Sequence, residues 1–191
     1  NVHGSIIECG VYMGGGTMSF AHASVILEPY NYQRKIYGFD TFEGFPEVSK
    51  EDLSTVEGIK YAKAGAFNVQ GMETDLNECV RLFDCNRPLG HLPKVKFIKG
   101  DINKTLPQFL QEMPHIVVAL LYLDLDLHKP TKTALELLIP RIPKGGIIVF
   151  DELDHEQWPG ETTAVMEVLG LNNLRLQRFP FEPVRCFAVV E

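Results

Sequence analysis

Two apolar runs that each end on carboxylates, with a helical stretch between them, constrain this chain more than any other feature. Residues 116–123 read IVVALLYL and stop at Asp124 and Asp126; residues 147–150 read IIVF, follow Gly145 and Gly146, and stop at Asp151, Glu152 and Asp154. Between them Pro130 opens a segment in which Ala134, Leu135, Leu137 and Leu138 recur at helical spacing. Short, uniformly apolar runs fit strands covered on both faces. A strand–helix–strand unit crosses over right-handed almost without exception, which makes the two strands parallel. Both acidic clusters then leave the sheet at the same carboxyl edge. If the strands are neighbours, about 4.8 Å apart, the carboxylates face one crevice. Crowding like charges there is unfavourable unless a cation lies between them, and a hard divalent ion with oxygen ligands is the simplest candidate.

The rest of the chain alternates in the same way. A strand over 5–9 runs into the loop Gly10–Gly16, and Thr17 is the expected N-cap of a helix carrying Met18, Ala21, Val25 and Ile26. A second strand over 35–39 ends at Asp40. Residues 41–71 hold four glycines (44, 58, 65 and 71) without sustained periodicity, which marks a lid or acceptor loop. Leu76, Val80 and Phe83 predict a helix over 73–84; a third strand over 95–98 stops at Gly100 and Asp101, and a short helix over 106–112 follows. After Trp158, Pro159 and Gly160 comes a helix over 162–169, then an antiparallel hairpin of 174–179 with 184–190. The pattern is one α/β sandwich over 1–191 with a mostly parallel sheet. Its first strand starts so early that a preceding N-terminal segment is expected to be missing.

Charge and cysteine content narrow the class. With 191 residues and a net charge of −7, and with no basic cluster to offset it, the chain lacks a nucleic-acid footprint. No apolar run reaches the ~20 residues needed to cross a bilayer. The four cysteines, at 9, 79, 85 and 186, show no zinc-ligand spacing. Free thiols in a reducing, cytoplasmic setting are expected, with Cys9 and Cys186 inside strands.

Four constellations carry the chemistry. Gly10 and Gly14–Gly16, between a strand end and a helix start, let a ligand approach the backbone closely. Three non-glycines follow Gly10, which departs from the GxGxxG dinucleotide fingerprint; a plain strand-to-helix turn is the bland alternative. Asp40 closes the second strand, where an acid can accept from both hydroxyls of a ribose, although a lone Asp there also suits a turn. Asp101 and Ile102 close the third strand, where they could meet an adenine amino group and ring, although a plain turn is the bland alternative. The acidic crevice is the fourth; its bland reading has one carboxylate capping the following helix or pairing with Lys129 or Lys132. His128 and His155 each follow an acidic cluster and are candidate general bases, against the commoner surface histidine. Trp158 is a candidate wall for an acceptor pocket.

Taken together, GSIIECGVYMGG, YGFDTFEGFP, GDINKTLP, LYLDLDLHKPTKTALE and GGIIVFDELDHEQWPGE resemble the macrocin O-methyltransferase (TylF-like) family of class I S-adenosylmethionine-dependent methyltransferases. The resemblance covers nearly the whole chain and keeps the family's motif order. It implies a Rossmann-like, seven-stranded, mostly parallel sheet with a C-terminal antiparallel hairpin. It implies S-adenosylmethionine over Glu8, Gly10 and Gly14, with Asp40 on its ribose and Asp101 near its adenine, and with Tyr12, Thr41, Phe42, Ile102 and Asp124 as further cofactor-binding residues. It also implies magnesium, or another divalent cation, on Asp124, Asp151 and Glu152, with Asp126 and Asp154 further out or as alternative ligands. The expected reaction is O-methylation of a hydroxylated small molecule or glycoside, with Asp124, His128 and His155 as candidate catalytic residues. His128 and Pro130 stand where the family usually has Tyr and Ser, and residues 64–71 hold no histidine, so the base stays open. The rivals are an NAD-dependent oxidoreductase and a non-catalytic nucleotide- or metal-binding module. Neither a nucleic-acid nor a membrane partner is expected, and a homo-oligomer is compatible with the sequence.

Overall fold

The computed structural model describes residues 2–53 and 62–191. The central part of the expected lid, 54–61, lies outside the described residues. Six strands form one sheet in the order β3-β2-β1-β4-β5-β6, with β1 at Ser5–Cys9, β2 at Ile36–Asp40, β3 at Val95–Lys99, β4 at Val118–Leu123, β5 at Ile147–Phe150 and β6 at Cys186–Val189. The first five are parallel and β6 runs antiparallel to β5. The helices are α1 (Gly15–Leu27), α2 (Met72–Cys85), α3 (Ile102–Glu112), α4 (His128–Leu138) and α5 (Pro159–Val168). Strand alternation sorts the core into two layers. Ile6 and Ile36 pack with Ala21 of α1 and Phe83 of α2. Ile7, Phe39 and Leu121 pack on the other face against Leu106 and Phe109 of α3, Leu135 of α4 and Val165 of α5.

Three expectations need correction. Among the described residues the sheet has six strands, because 174–179 contributes a single antiparallel bridge, Gln177 to Phe187. That segment would be the outer edge, and its exposed Arg175, Leu176 and Arg178 bury nothing that would extend the pairing. Helix α1 starts at Gly15 after a left-handed Gly14 (φ 80°), and Thr17 lies inside it rather than capping it. The glycines let the backbone coil early, and the buried Thr17 hydroxyl donates to Glu8 instead. Helix α3 begins four residues before the expected 106, because Asp101 caps it by accepting from the Asn103 N–H at 3.0 Å.

Candidate functional site

The strand order reverses direction between β1 and β4, the place where an open parallel sheet leaves a crevice at its carboxyl ends. The two strands are held close there. The Asp124 N–H donates to the Cys9 carbonyl at 2.8 Å, and a Cβ added to Gly10 (φ 96°) would lie 1.7 Å from the Asp124 carbonyl oxygen. No residue but glycine fits that approach. Above it opens a cavity of about 390 Å³. Seven of the expected cofactor residues line it: Gly10, Tyr12, Asp40, Thr41, Asp101, Ile102 and Asp124. Glu8, Gly14 and Phe42 do not. Glu8 is buried beneath the loop, where it takes the Thr17 hydroxyl; Gly14 packs on Leu76; and Phe42 is buried against Phe97. Burial pushes the Glu8 carboxyl up to about 7, against the pull of Thr17.

Asp40 spends its oxygens on the loop: Oδ2 accepts from Val11 and Tyr12 N–H, both at 2.7 Å, and Oδ1 from Phe42 N–H at 2.6 Å. This fixes the turn from which Tyr12 faces the cavity. Tyr12, Phe67 and Asp126 all line the cavity with left-handed backbones (φ 50°, 58° and 59°), a strained conformation for non-glycine residues that concentrates at functional sites. Tyr12, Phe45, Phe67 and Trp158 contact one another edge-on or tilted and form an aromatic wall. Trp158 thus walls the cavity as expected, and Phe45 and Phe67 from the 41–71 segment complete it.

The other side of the cavity is acidic. One carboxylate oxygen each from Asp124, Asp151 and Glu152 lie within 4.8 Å of one another. Strand β4 stops at Leu123, so alternation does not aim Asp124 and Asp126 together; the left-handed turn at Asp126 brings both to the cavity. Asp154 is exposed and outside it. Burial, and then the Asp151 and Asp126 charges, push the Asp124 carboxyl up to about 8. Burial together with Asp151 raises Asp126, and burial together with Asp126 raises Glu152. The buried Glu152 Oε2 has no hydrogen-bond partner among the described residues. An all-oxygen donor set at this spacing, with one buried oxygen unsatisfied, fits a hard divalent cation.

The bland alternatives for the crevice find other partners. Lys129 pairs with Glu47, Lys132 with Glu167 at 2.8 Å, and α4 takes its N-terminal acceptor from Asp52, whose Oδ1 accepts from His128 N–H at 2.6 Å. The candidate bases do not reach the cavity. His128 turns toward α5, its Nε2 3.2 Å from Glu167 Oε2, and the His155 Nδ1 accepts from Gln157 N–H at 3.3 Å. Sequence reasoning missed four residues. Asp52 docks the 41–53 stretch onto α4; the fully buried Glu161 holds the Glu152 N–H at 3.1 Å; Tyr122 and Arg185 both donate to Asp151 Oδ1. Burial raises the Glu161 carboxyl well above its usual range. None of the four carried a legible signal: Arg185 fell inside the expected 184–190 strand, whereas β6 starts at Cys186.

Among the described residues no helix is long and apolar enough to cross a membrane. The macrocin O-methyltransferase (TylF) family model matches residues 1–175. An 8-demethyl-8-(2,3-dimethoxy-alpha-L-rhamnosyl)-tetracenomycin-C 4'-O-methyltransferase of Streptomyces olivaceus is 30% identical over 153 residues, covering 79% of this chain and 53% of its own. A demethyldecarbamoylnovobiocin O-methyltransferase of Streptomyces niveus is 25% identical over 153 residues, covering 80% and 53%. The chain thus spans about half the length of these curated relatives. The crystal structure of the calicheamicin methyltransferase CalS11 superposes with a TM-score of 0.93 at 40% identity, over 98% of this chain and 72% of that one.

Proposed function

Because the chain belongs to the TylF macrocin O-methyltransferase family, we propose that it moves the methyl group of S-adenosylmethionine onto a hydroxyl of a small natural-product glycoside. One observation carries this reading: the glycine loop with Asp40 and the three-carboxylate cluster open into the same cavity, facing an aromatic wall. The curated relatives, both O-methyltransferases and one named for a rhamnosyl acceptor, support the acceptor class. In this reading the Gly10–Gly16 loop and Asp40 seat the cofactor, with Asp101 and Ile102 at its base. The aromatic wall excludes water and presents an apolar face to the acceptor. Asp124, Asp151 and Glu152 would hold magnesium or a similar divalent cation, which when bound lowers the acceptor's pKa and orients its oxygen. The oxygen forms the new C–O bond in line as the C–S bond breaks, and S-adenosylhomocysteine leaves. Of the three expected catalytic residues, Asp124 lines the cavity and His128 and His155 do not. The four free thiols agree with a cytoplasmic setting.

The test is methyl transfer from S-adenosylmethionine to a panel of glycosides, macrolides and catechols, followed by mass with and without magnesium. Asp151→Ala should abolish magnesium-dependent turnover and leave cofactor affinity within about threefold, a gap of about 0.7 kcal/mol. Undiminished turnover in that variant would sink the metal assignment. Binding of NAD instead of S-adenosylmethionine would sink the class.

A further inference from the structure

The carboxylate cluster holds a positive charge of the protein's own. Strands β5 and β6 pair with Phe150 opposite Cys186, so the residues just beyond, Asp151 and Arg185, face each other across the strand ends. The Arg185 Nε donates to Asp151 Oδ1 and also lies 2.7 Å from the Tyr122 hydroxyl, which itself donates to the same Asp151 oxygen. Asp151 therefore has one of its two oxygens doubly occupied. Around it stand Asp124, Asp126 and Glu152, and the cavity's other lining cation, Lys129, is engaged by Glu47. A cluster of carboxylates at this density needs positive charge, and here a guanidinium from the terminal strand supplies it. Arg185 is not locked in place. Its side chain is 45% exposed, and its Nη1 already reaches Glu182 Oε2 at 3.3 Å. The Glu182 Oε1 accepts from the Val184 and Arg185 N–H groups, which hold that second carboxylate in reach.

We propose that Arg185 is a tethered counter-ion of the carboxylate cluster that competes with a divalent cation for Asp151, moves onto Glu182 when the cation binds, and so sets the cluster's metal affinity. The inference rests on the metal reading above. Two positive charges cannot share Asp151 at close range without mutual repulsion, and an arginine cannot deprotonate to escape it. The arginine then keeps the site ordered before the cation arrives and weakens the cation's hold once it is there.

The test reads metal binding alone, without turnover: titration of Mn²⁺ into the purified chain, with free Mn²⁺ followed by electron paramagnetic resonance. Arg185→Gln should tighten binding at least about tenfold, the loss of one close competing charge. Glu182→Gln removes the guanidinium's second seat and should weaken binding by about threefold or more, in the opposite direction. Asp151→Ala is the control background in which the difference between Arg185 and Arg185→Gln vanishes. Equal or weaker Mn²⁺ binding by Arg185→Gln overturns the competition, and an unchanged Glu182→Gln overturns the exchange of partners. Failure of both the wild type and Arg185→Gln to bind Mn²⁺ would overturn this inference together with the metal assignment. Binding that Arg185→Gln leaves unchanged would overturn this inference alone.

Discussion

Replacing Asp52 by alanine should detach the 41–53 stretch, which lines the cavity, from the helix it rests on. Asp52 is 2% exposed and belongs to a single 3-10 turn, Lys50–Asp52. Its Oδ1 accepts from His128 N–H at 2.6 Å, and its Oδ2 accepts from the Ser49 N–H and hydroxyl at 2.7 and 2.8 Å. The two Ser49 groups lie near the surface and can turn to water. The His128 N–H is a free amide of the first turn of α4, and it would lose both its acceptor and a negative charge at the positive end of the helix. A charge-assisted bond of this kind contributes about 1.5–3 kcal/mol and the helix-end charge about 0.3–1. We therefore expect Asp52→Ala to lose about 2–3 kcal/mol. For a chain of this size that lowers Tm by roughly 5–10 °C. Asp52→Asn keeps an oxygen for His128 but not the charge and should lose about half as much, on the order of 1 kcal/mol. Gly160 provides an independent probe, since a Cβ there would sit 2.3 Å from Asp52 Oδ1 and 2.5 Å from the His128 nitrogen. Gly160→Ala should therefore resemble Asp52→Ala. The assay is thermal unfolding by calorimetry, paired with hydrogen exchange at the His128 amide. An Asp52→Ala protein within ~0.5 kcal/mol of wild type, with that amide equally protected, would refute the reasoning.

Two further perturbations address the end of β1 and the glycine loop that follows it. Glu8 has its folded pKa raised from 4.5 to about 7, so its contribution is fully present below about pH 4.5 and is lost as pH rises through 7. Glu8→Gln should remove this part of the pH dependence, up to about 3 kcal/mol, and the difference between the two urea denaturation curves should grow between pH 4.5 and 7 in the variant's favour. A constant difference would contradict the buried acid. Gly10→Ala forces a Cβ to within 1.7 Å of the Asp124 carbonyl oxygen at a left-handed φ, and should destabilise by more than about 3 kcal/mol or prevent folding. A variant of near wild-type urea midpoint would mean that β1 and β4 separate easily there.

Much of the frame could be read from local pattern because parallel strands buried on both faces are written as short apolar runs. The runs 116–123 and 147–150 became the neighbours β4 and β5, and the carboxylates after them do meet. Asp40 and Gly10 were legible for the same reason: each ends a strand on the edge where the cavity opens. What local pattern cannot carry is which element lies beside which. Arg185 reaches Asp151 only because β6 docks on β5, and Asp52 reaches α4 only because an aperiodic loop folds back. His128 shows the converse error. It follows an acidic cluster in sequence, but it opens a helix whose rotation carries the imidazole toward Glu167. Thr17 failed as a cap because Gly14 takes the left-handed N-cap position three residues earlier.

The junction of β1 with β4 also bears on how the protein comes to be made. Cys9 lies beside Leu123, so the two halves of the cavity floor meet only after residues 10–123 have been synthesised and the intervening strands have found β1. Contacts of such sequence separation form late and slowly, since the loop they close must be ordered before they repay it. A nascent chain ending before β4 would carry the glycine loop and Asp40 without Asp124, and one ending before β5 would lack Asp151 and Glu152. The carboxylate cluster is therefore a property of the assembled sheet, since its members follow β4 and β5.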